Sequence, residues 1–74
     1  METAGGIVVD PAIQHGAPVI AGTRVPAAIV VGSLAGGMSR EDVMQEYELS
    51  GAQIDAALAY AADLVSRTEL VPLA

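Results

Sequence analysis

The sequence predicts a mainly α fold: three helices in a helix-turn-helix arrangement, preceded by a short N-terminal β-hairpin or strand pair, in a chain expected to dimerise. Three observations predict it. Gly16-Ala17-Pro18-Val19-Ile20-Ala21-Gly22-Thr23-Arg24-Val25-Pro26 reads as a strand, a corner and a helix start. Apolar residues after Pro26 recur at helical spacing. Two serine capping signals, at Ser39 and Ser50, mark two further helix starts.

The elements follow in order within a single domain spanning 1–74. Residues 1–6 are small and expected to be flexible or an edge. Residues 7–24 carry the strands and the corner. Ile7-Val8-Val9 is β-branched and stops at Asp10-Pro11, a turn opening. Ala12 to Gly16 connects it to a second strand, Pro18 to Ala21, where Val19 and Ile20 favour extended backbone. Two short strands are barely stable alone, so pairing across a dimer would supply the missing edges. Gly22 can take a positive φ at no steric cost, and Pro26 has the fixed φ of a first helical turn.

Residues 25–67 form the trihelical core. The first helix is expected from about Pro26 to Ala35, with Ile29, Val30 and Leu34 recurring at helical spacing and Gly36-Gly37 as its stop. Ser39 with Asp42 forms a capping box for a second helix ending near Tyr47, with Val43, Met44 and Tyr47 inward. Ser50 with Gln53 repeats the pattern for a third helix reaching about Ser66. Its apolar face is Ile54, Ala57, Leu58, Ala61, Leu64 and Val65, and its outer face is Asp55, Ala59 and Asp63. Residues 68–74 are an apolar tail.

Size and composition bound the function. A chain of 74 residues buries roughly 60–65% of its unfolded surface and is marginal alone. It has no cysteine and one histidine, so neither disulfides nor a chelating cluster reinforce it. Yet 53% of its residues are hydrophobic, which predicts a covered partner surface and hence an obligate dimer or complex subunit. A net charge of −6, with three arginines and no lysine, is the wrong sign for gripping phosphates and suits a basic protein surface. The acidic N-terminus lacks the basic flank of a secretory leader, and no apolar run approaches the ~20 residues a membrane span needs. A cytoplasmic location is expected.

Asp10-Pro11-Ala12-Ile13, Gly16 with Pro18-Val19-Ile20, Gly22-Thr23-Arg24-Val25 and Leu34-Ala35-Gly36-Gly37-Met38-Ser39 resemble the domain of unknown function 433 family. The similarity runs from about Ile7 to about Leu64. It implies a homeodomain-like trihelical fold, a homodimer, and an antitoxin role against a PIN-like nuclease. The family often has basic residues where this chain has Ala17 and Ala21, and both replacements remove positive charge.

The candidate sites divide by chemistry. The start of the third helix would be the recognition end of a helix-turn-helix, yet there only Gln53 could read a base, and Glu46 and Glu48 beside it repel phosphates. Arg24 at the corner could cap carbonyls or pair with Asp10, or it could contact a partner's acidic site. His15, with no second ligand in view, reads as a turn residue. No nucleophile stands with a base and no phosphate-binding loop is visible, so no enzyme, cofactor or metal is expected. Leu70, Val71 and Leu73 either fold back on the dimer core or extend its sheet, or they order on a partner, with Arg67 upstream then placed to enter a nuclease's acidic metal pocket. The leading expectation is therefore an antitoxin-like binder of a PIN-like ribonuclease. The alternative is a helix-turn-helix transcriptional regulator, for which DNA binding would be weak.

Overall fold

In the computed structural model, backbone is described for residues 2–67 and side chains for residues 5–67. Three strands, β1 (Glu2–Ala4), β2 (Ile7–Val8) and β3 (Val19–Ile20), precede three helices, α1 (Ala27–Ala35), α2 (Arg40–Tyr47) and α3 (Gly51–Arg67). The strands form one antiparallel sheet in the order β1-β2-β3, with Ile7 opposite Ile20 and Val8 opposite Val19. Residues 1–6 are thus not all a loose end, because Glu2–Ala4 forms the sheet's edge. One chain supplies all three strands, so completing β2 needs no second copy.

The corner is a small hairpin. Thr23 N–H donates to the Ile20 carbonyl at 3.0 Å, and Gly22 sits at φ +79°, as a type II turn requires at its third residue. Beyond the turn, Ile20 N–H reaches the Val25 carbonyl and Ala27 N–H the Pro18 carbonyl. The proline that opens α1 is thereby laced to β3. Between β2 and β3, Gln14, His15 and Gly16 all have positive φ, of 50°, 56° and 86°. For the first two this is an unfavourable conformation that sequence reading did not anticipate.

The helix ends follow local chemistry. α1 closes in a Schellman motif: Gly37 is at φ +105°, Met38 N–H donates to the Ser33 carbonyl and Gly37 N–H to that of Leu34. Ser39 Oγ caps α2 by accepting from Asp42 N–H at 3.0 Å. That cap is one-sided, since no reciprocal bond from the Asp42 carboxylate is found among the described residues. The box at α3 is complete: Gln53 Oε1 accepts from Ser50 N–H at 2.8 Å and Ser50 Oγ from Gln53 N–H at 3.1 Å. Between them Glu48 turns the chain in the left-handed region, at φ 55°.

The core is Ile7 and Ile20 from the sheet, Ala27 and Val30 from α1, Val43 and Leu49 from α2 and its turn, and Ile54 and Ala57 from α3. Met44 and Tyr47 pack against it half-buried. Two apolar patterns are less covered than their helical spacing implies. Ile29 lies 44% exposed, because the sheet and α3 cover α1 on its Ala27–Val30 side. The apolar face of α3 is covered only over its first half: after Ala57 no described residue of that helix is buried, and Val65 is 70% exposed.

Candidate interaction surfaces

The first surface is acidic. Val43 fixes the rotation of α2 by its burial, and the 3.6-residue repeat then turns Glu41, Asp42 and Glu46 to solvent, with Glu48 exposed in the following turn. Glu41 and Asp42 also lie in the first turn, where the helix dipole favours negative charge. Arg40 is on this helix and is attracted to Glu41, but its direct contacts lie with the start of α3. Its Nη1 pairs with Asp55 Oδ1 and its Nη2 donates to the Gly51 carbonyl, each at 2.9 Å. The hydrogen bond to Asp55, foremost, raises the Arg40 pKa above its usual value. The guanidinium therefore ties the start of α2 to the first turn of α3.

That tie and the capping box occupy the recognition end of the helix-turn-helix. Gln53, the candidate base reader, has its carboxamide oxygen on Ser50 N–H. Arg24 is exposed at the corner. It does not cap the corner; Thr23 does, its hydroxyl donating to the Ile20 carbonyl at 2.8 Å and accepting from Val25 N–H at 3.0 Å. Asp10 instead accepts from Ala12 N–H, so it closes its own turn. Among the described residues no ion pair or hydrogen bond engages Arg24. Arg67 ends α3 and pairs with Asp63 at 3.0 Å, an exposed i,i+4 contact of small energetic weight. Leu70, Val71 and Leu73 lie outside the described residues.

The second surface is apolar. Ala28, Val31 and Gly32 of α1 and Tyr60, Ala61 and Leu64 of α3 line an open groove of about 430 Å³. No lining residue is charged. The signals for it in the sequence were a glycine inside a helix and an apolar heptad continuing past the core residues of α3.

Three helices on one core, with α2 and α3 joined by a tight left-handed turn, define a small helix-turn-helix protein carrying an N-terminal sheet. Comparison with known proteins gives the family. The family model described as protein of unknown function (DUF433) matches residues 7–61, and the chain belongs to that family. Among solved structures, the crystal structure of Rv2018 from Mycobacterium tuberculosis is similar, with 35% identity and a TM-score of 0.63. The match covers 70% of this chain and 24% of that one, so the similar region spans about a quarter of the mycobacterial protein. No curated protein matches. Among the described residues no helix is long and apolar enough to cross a membrane.

Proposed function

We propose that this protein is an antitoxin-like binding module that docks on a PIN-like ribonuclease and silences it. The observation that carries the reading is the exposed acidic row Glu41, Asp42, Glu46 and Glu48. A nuclease that holds RNA presents a basic face, and an acidic helix covers such a face with favourable electrostatics and fast association. Arg24 supports the reading further. It is an exposed cation at a corner stiffened by Thr23, suited to enter the carboxylate cluster of a metal-dependent nuclease. The module acts as a protein ligand in the cytoplasm and performs no chemistry itself.

Co-expression with the product of the adjacent gene, followed by co-purification, tests the reading. A stable complex that is weakened by Glu46→Lys or Arg24→Ala and in which ribonuclease activity is suppressed supports it. A chain that elutes without its neighbour, or a neighbour that is not a nuclease, overturns it. The second reading, an autoregulator binding its own promoter, draws on the α2–turn–α3 topology. It predicts a steep salt dependence and fails if the promoter is not shifted at low salt with or without a partner.

A further inference from the structure

We draw no further inference here: the strongest candidate, the open apolar groove between α1 and α3 lined by Ala28, Val31, Gly32, Tyr60, Ala61 and Leu64, carries none because nothing in the structure shows what covers it.

Discussion

Gly6 joins the sheet to α3 and is the sharpest point at which the fold can be probed. It sits in the β1–β2 turn at φ +88°, and its carbonyl accepts from Ala21 N–H at 2.8 Å. A Cβ added there would lie 2.9 Å from the Ala56 Cβ, whereas carbon atoms rest at about 3.5–4.0 Å. Gly6→Ala thus carries two penalties: about 1–2 kcal/mol for a left-handed non-glycine residue, and about 1–3 kcal/mol for overpacking against the helix. Reduced freedom of the unfolded chain returns about 0.4–1 kcal/mol. The net expectation is a loss of about 1–5 kcal/mol, out of the roughly 4–11 kcal/mol that 74 residues support. Urea unfolding followed by helix ellipticity, at one protein concentration, measures it as a fall in midpoint at constant slope. Ala56→Gly alone loses about 1 kcal/mol of helix propensity but removes the obstructing methyl. The double variant should therefore be more stable than the two single effects predict, by about 1–3 kcal/mol. Additive effects, or a Gly6→Ala loss below about 0.5 kcal/mol, would show that turn and helix do not touch as described.

Four further outcomes follow from the same geometry. Ile54→Ala empties a fully buried position on α3 and should destabilise by about 2–5 kcal/mol in urea titrations. Gln53→Ala removes one arm of the complete capping box and should lose about 1 kcal/mol; if promoter binding exists and is unchanged by it, Gln53 reads no base. Gly32→Ala should raise thermal stability of the monomer by about 0.5–1 kcal/mol through helix propensity alone, checked by the melting temperature of dilute protein. Added sodium chloride should release a partner held by the acidic row, seen as loss of the complex in sedimentation, since screening acts on exposed charges.

The elements that were legible from the residues are those fixed by local chemistry. Gly22 with Pro26 dictated the corner, the Ser50–Gln53 pair dictated the start of α3, and Gly36-Gly37 dictated the stop of α1. The misses share a cause, which is that they depend on what packs against what. Ile29 and Val30 follow the same helical spacing, and only the placement of the sheet and α3 decides that Val30 is buried and Ile29 is not. The strand at Glu2–Ala4 was legible only as one of two alternatives, a loose end or an edge, because it has no hydrophobic pattern of its own and is held by pairing with β2. Arg24 looked like the group that satisfies the corner, whereas the shorter Thr23 hydroxyl reaches both backbone partners without ordering a long side chain. The acidic row was legible as charge but not as a surface, because its orientation is set by the burial of Val43.

The two faces explain a composition that is otherwise unfavourable for so small a chain. Gly32 lines an open groove and could be replaced by alanine with a gain in helix stability, and the exposed Leu58 and Val65 could become polar with a gain in solubility. Within the fold the acidic row is favoured only in the first turn of α2, where the helix dipole acts on Glu41 and Asp42 and the nearby Arg40 on Glu41, whereas Glu46 and Glu48 have no ion pair among the described residues. Each feature is locally unfavourable and each is confined to one face. On the reading proposed above, the acidic row of the second helix would meet a basic partner without involving the residues that line the α1–α3 groove.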